Sequence, residues 1–310
     1  MGIKMLDLVH VRSFVALAAE LNFSRAARRL NMTQPPLSRQ IRLLEEHLGS
    51  KLFDRTSQSV ALTAAGRKFL PEAQALLRQV EDMEALVREN AQEPEGKVRL
   101  GFYGAACFRL LPSLMVEISR VYPRIEMELR ELNATQQIDA FSFGELDIGL
   151  ARPTVLASGL RAQIALREAL LVALPKDHPL TTRTTLRPED LHQQPFIAYG
   201  PGGPYLNSLQ RSIFAQHGIT PRITQSLAHA EAILSLVGVG LGIAIVSSHA
   251  RHAPRDNLVF RPMTGFKIDE AITHKITRAD MRKPAVKLIS QLICDVGRRL
   301  ELDERLPKVR

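Results

Sequence analysis

Residues 33–49 read TQPPLSRQIRLLEEHLG, and this stretch decides the fold of the N-terminal part of the chain. Thr33 is a favourable N-cap, and prolines in a first helical turn cost little because their missing N–H would be unpaired there. Gly49 is a favourable stop signal. The apolar stripe has intervals of 4, 3 and 4: Leu37, Ile41, Leu44 and Leu48. This spacing predicts an amphipathic helix that buries the stripe and exposes a polar, basic face.

The flanking residues complete a helix–turn–helix with a wing. Helical spacing of apolar residues predicts one helix over 11–18 and a short one over 25–30, the latter preceded by the capping oxygens of Asn22 and Ser24. After Gly49, two short apolar runs flank a polar tip at 55–59, which is the pattern of a two-stranded wing, and Thr63 is expected to cap the next helix. Such an arrangement is typical of proteins that place a helix in the major groove of DNA.

The charge distribution agrees with a polyanion-binding N-terminus. The formal net charge is +9, and residues 1–68 hold 11 Lys and Arg against 5 Asp and Glu. Residues 69–92 hold 2 against 5, so a basic block is followed by an acidic helical segment. We interpret this as a polyanion-binding head on a protein–protein stalk, although charge alone equally fits a solvated basic surface.

Composition excludes several classes of protein. Hydrophobic residues make up 45% and charged residues 24% of the 310 residues, as in globular proteins of two or three domains. No long apolar span or signal-peptide pattern occurs, so we expect a cytoplasmic location. Cys107 and Cys294 are the only cysteines, which argues against a disulfide framework. We expect both to be core thiols, with a redox-sensing Cys107 as the alternative.

A longer helix is expected after the wing. Apolar residues recur at intervals of 4, 3, 4, 3 and 4: Phe69, Ala73, Leu76, Val80, Met83 and Val87. The spacing favours a short coiled-coil seam, and the alternative is an amphipathic helix lying on its own domain. Pro71 predicts a kink or a helix start. Residues 91–96 have the composition of a hinge.

The remainder alternates between strands and helices. Strands are expected at 98–102, 125–132, 146–150, 170–174, 196–199, 222–225 and 243–246, and helices at 110–121, 136–143, 207–217 and 230–237. Because strands separated by crossover helices form parallel sheets, we expect a bilobed α/β module with mostly parallel sheets.

These features together resemble the LysR-type transcriptional regulators over nearly the whole chain. The most specific motifs are FSRAA at 23–27, TQPPLSRQI at 33–41, LFDR at 52–55 and LTAAG at 62–66. GELDIG at 144–149 and GVGLGI at 238–243 look like the effector-binding part of the family. GFYG at 101–104, together with Gln34-Pro35-Pro36, is most similar to regulators of aromatic-compound degradation.

The resemblance implies an α/β fold class with a winged helix-turn-helix at 1–66, a linker (dimerisation) helix at 67–92 and a hinge at 93–97. A bilobed periplasmic-binding-protein-like module of two α/β subdomains would follow at 98–310, with lobe I at about 98–165 and 268–300 and lobe II at about 166–267. It further implies a homotetramer, activation of transcription with RNA polymerase as a partner, and promoter bending that responds to a small effector. No cofactor or metal is expected.

The DNA-contacting residues are expected in the second helix of the motif and around it. Gln34 can pair with adenine and Arg39 with guanine through two hydrogen bonds each. Thr33 and Ser38 suit phosphate or base contacts, and Pro35 and Pro36 can pack on thymine methyls. The complete expected set also includes Ser24, Arg25, Arg42, Arg55 and Thr56. Since Gln58 stands where the family often has a second basic residue, the wing contact is expected to rest on Arg55 alone.

The effector is expected at the carboxyl ends of the strands, where ligands of α/β proteins bind and helix N-termini favour anions. Arg152 would supply a fixed charge, and Thr135 would cap a helix while donating to the ligand. The expected set is Tyr103, Gly104, Ala105, Asn133, Thr135, Arg152, Tyr199, Gly202, Ser226 and His229. The hypothesis is a small carboxylate, aromatic or a muconate-like ring-cleavage product; the alternative is that each is a capping or turn residue.

Three other classes are weighed against this interpretation. The glycines of 238–242 follow a helix and precede a strand, the reverse of a dinucleotide-binding fingerprint, so an oxidoreductase is disfavoured. His249 and His252 lack a nearby third ligand, which disfavours a metal site. No nucleophile–base pattern is evident, so we expect no enzyme. A small-molecule receptor without a DNA role would leave the basic helix–turn–helix unexplained.

Overall fold

A computed structural model describes residues 5–55, 59–88, 94–252, 255–265 and 270–305. Its contacts divide the chain into two compact units. The first contains residues 1–92 with 138–147 and 282–284, and the second contains 93–137, 148–281 and 285–310. The predicted domain boundaries at 66, 92 and 97 stay predictions.

The first unit contains the predicted helix–turn–helix and wing. Its elements are α1 (Leu8–Glu20), α2 (Phe23–Arg29), α3 (Gln34–Leu48), β1 (Phe53–Arg55), β2 (Val60–Leu62) and α4 (Ala64–Arg88). Strands β1 and β2 pair antiparallel. Leu37, Ile41 and Leu44 are fully buried in a core with Phe14 of α1. The expectation that Leu48 is buried is wrong, because it is the last residue of α3 and remains 36% exposed.

Of the two expectations at Pro71, a helix start is wrong because α4 begins before this residue, and a kink stays a prediction. The reason is that Thr63 Oγ1 accepts a hydrogen bond from Gly66 N at 2.9 Å and caps the helix earlier. Of the predicted seam, Ala73 is buried and Phe69 packs against the core of the first unit, whereas Met83 is 59% exposed. The N-terminal half therefore matches the alternative of a helix on its own domain; the side chain of the last seam residue lies outside the described residues.

The second unit is a mixed α/β structure. Its strands are β3 (Gly96–Phe102), β4 (Ile125–Glu131), β5 (Ile148–Ala151), β6 (Leu160–Pro175), β7 (Pro195–Tyr199), β8 (Arg222–Leu227), β9 (Ala244–Ser247), β10 (Leu258–Pro262) and β11 (Glu270–Arg278). Its main helices are α5 (Leu110–Val121), α7 (Pro204–His217), α8 (Ala230–Gly238) and α9 (Pro284–Arg305). Helix α6 (Ala134–Ser142) includes residues of both units.

The sheets are less parallel than expected. Strand order in the large sheet is β10-β6-β11-β5-β3-β4, with β9 also paired to β6. Strand β3 pairs in parallel with β4 and β5, and β7 with β8, but all pairings of β6 and β11 are antiparallel. The expectation of mostly parallel sheets is wrong here because β6 and β11 are long strands that run between two hydrophobic cores. Strand β6 spans 160–175 rather than 170–174.

Of the three hydrophobic cores in the described part of the second unit, two flank these crossing strands. The first joins β3, α5 and α9, with Leu100, Leu114 and Ile289 fully buried. The second is built around Val172 of β6, Phe196 of β7 and their neighbours. The carboxyl ends of β3, β5 and β9 converge on the crossing strands between the two cores, which is where α/β proteins bind ligands.

Candidate nucleic-acid interface and effector site

Helix α3 presents a polar face opposite its buried stripe. Gln34, Pro35, Pro36, Arg39 and Arg42 are exposed, and Ser38 is half-buried. Thr33 occupies the N-cap position with extended backbone, but its side chain makes no capping hydrogen bond. The reason is that the second and third helical residues are prolines, which have no N–H to donate. The predicted base-reading side chains therefore lie on one exposed surface.

The beginning of α2 lies beside the first turn of α3. Ser24 Oγ donates to Gln34 Oε1 at 3.3 Å, which connects the two predicted contact segments. Arg25 is exposed and is held by Glu20, whose carbonyl oxygen accepts from Arg25 Nη2 at 2.6 Å. The structure thus brings Ser24, Arg25 and the α3 face to one side of the first unit.

The base of the wing is organised by Glu45, which the sequence analysis did not single out. Its carboxylate is only 1% exposed and accepts from Leu52 N at 2.9 Å and Phe53 N at 3.2 Å. It also accepts from Arg55 Nη2 at 3.0 Å. Burial acts to raise the pKa of Glu45, but hydrogen bonds from Leu52 and Lys51 outweigh it and the pKa lies below its ordinary value. The predicted contact Thr56 lies outside the described residues.

The predicted effector site is organised by Arg152, at the end of β5. Its side chain is 11% exposed, and Nη1 donates to Glu168 Oε2 at 2.6 Å and to Thr273 Oγ1 at 3.2 Å. Nη2 donates to Ser247 Oγ at 3.3 Å. One guanidinium therefore joins the ends of β5 and β9 to both crossing strands, and its buried Nε has no hydrogen-bond partner within the described part of the chain.

The charge of Arg152 is compensated by Glu168, which sequence reasoning missed. Burial acts to raise the pKa of Glu168, but Arg152 and then His249 outweigh it, so the pKa lies below its ordinary value. Burial likewise acts to lower the pKa of Arg152, and the attraction of Glu168 reverses this and raises it. His249 Nδ1 lies 3.7 Å from Glu168 Oε1. The site therefore contains a buried ion pair at pH 7.

Tyr103 lies directly against this ion pair. The Arg152 guanidinium carbon is 4.9 Å from the centre of the Tyr103 ring, and the Tyr103 hydroxyl is 2.7 Å from Thr273 Oγ1. Tyr199 is buried close enough to interact electrostatically with Arg152, and burial raises the pKa of both tyrosines. Of the predicted effector residues, the structure brings Tyr103, Arg152 and Tyr199 together.

Gly104 and Ala105 begin a short 3-10 helix beside Tyr103, and both are half-buried. A Cβ on Gly104 would lie 3.0 Å from Glu131 Oε1 and 3.5 Å from Glu231 Oε1. Two carboxylates therefore flank the backbone that was expected to face an anion. Burial, together with these two carboxylates, raises the pKa of Cys107 and so disfavours the thiolate form of this residue.

The other predicted effector residues have local roles. Asn133 Oδ1 accepts from Gln136 N, and Gln136 Oε1 accepts from Asn133 N, both at 2.9 Å. Asn133 thus begins α6, whereas Thr135 is exposed in the first turn. The expectation that Thr135 caps this helix is wrong, because Asn133 occupies that position.

Around β8 the predicted residues are exposed. Gly202 and Ser226 face solvent, and a Cβ on Gly202 would lie 2.8 Å from Ala228 Cβ. His229 is at the N-cap position of α8 without a side-chain capping bond. Within the described residues, no hydrogen bond joins these positions to Arg152.

The remaining sequence expectations have mixed outcomes. Cys294 is buried as expected, but Cys107 is exposed, so the expectation of a core thiol there is wrong. The residue lies in the 3-10 helix, outside the apolar face of the core. Gly242 has a φ of 152°, and a Cβ added at this position would lie 2.7 Å from Pro195 O. The residue lies in a turn between α8 and the next strand, as predicted for the glycines of 238–242. No helix in the described ranges is long and apolar enough to cross a membrane.

Comparison with known proteins gives two family matches. Residues 8–67 match the model described as "Bacterial regulatory helix-turn-helix protein, lysR family", and residues 91–297 match "LysR substrate binding domain". The chain is 35% identical to the Hca operon transcriptional activator HcaR of Escherichia coli, covering 91% of this chain and 95% of the relative. It is 34% identical to a probable cat1 operon transcriptional activator of Acinetobacter lwoffii, with 93% and 95% covered. The solved structure of full-length BenM is similar, with a TM-score of 0.58, 28% identity and 98% and 99% covered.

Proposed function

The chain belongs to the LysR family of transcriptional regulators, and from that premise we propose which of its surfaces read promoter DNA and which effector it answers. Helix α3 enters the major groove, where Gln34 reads adenine and Arg39 reads guanine. The observation that carries this proposal is the exposed polar face of α3 opposite Leu37, Ile41 and Leu44, which are fully buried. The basic N-terminal block supplies the attraction to phosphates.

Footprinting upstream of its own gene, with and without candidate carboxylates, tests this proposal directly. We expect protected sites whose affinity falls steeply with salt concentration, as phosphate contacts require. A protein that binds a small molecule and shows no preference for any duplex over random competitor would instead be a receptor without a DNA role.

We propose that the effector is a small aromatic or muconate-like carboxylate bound at Arg152. Three observations support this ligand: the buried guanidinium, its Nε without a partner in the described chain, and the Tyr103 ring beside it. The resemblance of 101–104 to regulators of aromatic-compound degradation agrees with it. Since Glu168 already neutralises Arg152, the carboxylate competes with Glu168 for the same guanidinium.

Calorimetry with benzoate, a muconate and their uncharged amides tests the effector. We expect heat for at least one acid, none for its amide, and loss of binding in Arg152→Ala. Arg167→Ala is the matched control, because Arg167 is the residue next to Glu168 in β6, is 41% exposed and pairs with Glu270. An absence of heat for every carboxylate would remove this part of the proposal.

We further propose that the chain acts in the cytoplasm as a homotetramer that activates transcription with RNA polymerase, and that it is not an enzyme. The exposed Met83 on the distal half of α4 supports a self-association surface there. Two relatives carry the printed name of operon activator. Sedimentation of the purified protein tests the tetramer, and a promoter–reporter fusion distinguishes activation from repression.

A further inference from the structure

We propose that Glu45 is a positioning residue that holds Arg55 in the orientation in which the wing contacts DNA. The inference rests on the proposed function, because it takes Arg55 to be the DNA-contacting residue of the wing. Glu45 itself belongs to the recognition helix α3 and is too buried to touch DNA. Its effect on DNA binding must therefore act through another side chain.

The Glu45 carboxylate divides its two oxygens between backbone and side chains. Oε1 accepts from Leu52 N and Phe53 N, and so fixes the chain at the beginning of β1. Oε2 accepts from Lys51 Nζ at 3.1 Å and from Arg55 Nη2 at 3.0 Å. One buried carboxylate therefore sets both the path of the wing strand and the direction of its arginine.

Arg55 is held from a second side by an aromatic ring. The guanidinium carbon of Arg55 lies 5.2 Å from the centre of the Phe23 ring, within the range of a cation–π contact. The side chain is nevertheless 32% exposed, so the guanidinium remains accessible to a phosphate or a minor-groove acceptor. Because the guanidinium is planar with five N–H donors, a hydrogen bond from Nη2 to Glu45 leaves other donors to face DNA.

Pre-orientation of this kind favours binding. A free arginine side chain loses rotamer entropy when it is fixed on DNA, whereas an arginine already fixed between Glu45 and Phe23 loses little. Lys51 provides the contrast, because it bonds to the same carboxylate oxygen but is 72% exposed. We therefore expect Glu45 to matter for DNA binding through Arg55 and not through Lys51.

The test is a double-mutant cycle on the full-length protein with a footprinted promoter site. Arg55→Ala should weaken binding about tenfold, which is the scale of one charge-assisted hydrogen bond. Glu45→Gln keeps an oxygen for the two backbone N–H groups but removes the ion pair, and should weaken binding by a similar factor. The double variant should bind no worse than Arg55→Ala alone. Lys51→Ala is the matched control and should change the affinity less than about twofold.

Salt dependence supplies a measurement that a purely structural role would not change. Each lost phosphate contact reduces the slope of log affinity against log salt by about one, so Arg55→Ala and Glu45→Gln should reduce it equally. Additive losses in the cycle, or a normal slope in Glu45→Gln, would overturn the positioning role while leaving the wing contact intact. Unchanged binding in Arg55→Ala would overturn both. Should Glu45→Gln fail to fold, Phe23→Leu takes its place in the cycle with the same expected coupling.

Discussion

Removal of Glu168 is the perturbation that most directly tests how the proposed effector site around Arg152 is held together. In Glu168→Ala, the guanidinium of Arg152 stays buried but loses the acceptor at 2.6 Å. Among its hydrogen-bond partners in the described part of the chain, this acceptor carries the only full negative charge. The remaining acceptors, among them Thr273 Oγ1 and Ser247 Oγ, are neutral. The variant therefore contains a buried and uncompensated cation.

The structure sets the size of the expected effect. Arg152 and Glu168 are 11% and 2% exposed, so solvent screens their interaction weakly. Breaking a buried pair by removal of one partner costs about 3–5 kcal/mol, because the other charge keeps its desolvation penalty. Replacing both residues, in Arg152→Met with Glu168→Leu, should recover much of this loss, because no charge is then left buried.

Urea unfolding of the full-length protein measures the change. Glu270→Ala is the matched control, since Glu270 of β11 pairs with Arg167, the residue next to Glu168 in β6, but both side chains are more than a third exposed. That surface pair should contribute only about 0–1 kcal/mol. A loss in Glu168→Ala no larger than in Glu270→Ala, or no recovery in the double variant, would refute the reasoning.

Three further outcomes are expected. The folded-state pKa of Glu168 lies below its ordinary value of 4.5, so the stabilisation that its charge gives to the fold is complete above pH 4.5. This stabilisation is lost as the pH falls through the folded-state pKa. In acid titrations, the difference in unfolding free energy between wild type and Glu168→Gln should therefore narrow below pH 4.5. Arg39→Ala should cost ~1–3 kcal/mol on cognate DNA, measured by gel shift, and an equal loss on scrambled DNA would assign Arg39 to phosphate instead. Ile41 is fully buried, so Ile41→Ala should destabilise the protein by about 2–5 kcal/mol in thermal unfolding. Leu48 of the same stripe is partly exposed, so Leu48→Ala should cost under ~1 kcal/mol, and equal costs would contradict the observed burial.

Elements with a strong local pattern were predictable from the sequence. Helix α5 was expected at its observed bounds of 110–121, because apolar spacing along one face fixes a helix without knowledge of its partners. Strand β6 was expected at only five residues, since its first half is partly exposed and lacks a continuous apolar run. Its length depends on antiparallel pairing with β11, which lies about a hundred residues later in the chain.

The candidate sites show the same contrast between features set by local sequence and features set by distant strands. The polar face of α3 was predictable because its residues lie within one helix or next to it. Glu168 and Thr273 were missed because their meeting with Arg152 depends on three strands that are distant in sequence. Glu45 was missed for a different reason. On helical spacing it neighbours the apolar stripe, and the sequence alone does not show which hydrogen-bond donors a buried carboxylate at this position would accept from.

The two faces of α3 have a consequence for how such a protein diverges. The side chains proposed to touch DNA bases are exposed or half-buried, whereas Leu37, Ile41 and Leu44 of the opposite face are fully buried in the core. Replacements at Gln34, Ser38 or Arg39 are therefore nearly neutral for folding. A duplicated copy of the gene can acquire a new operator through a few such changes while it inherits an intact scaffold, so that target choice and thermal tolerance evolve along separate routes.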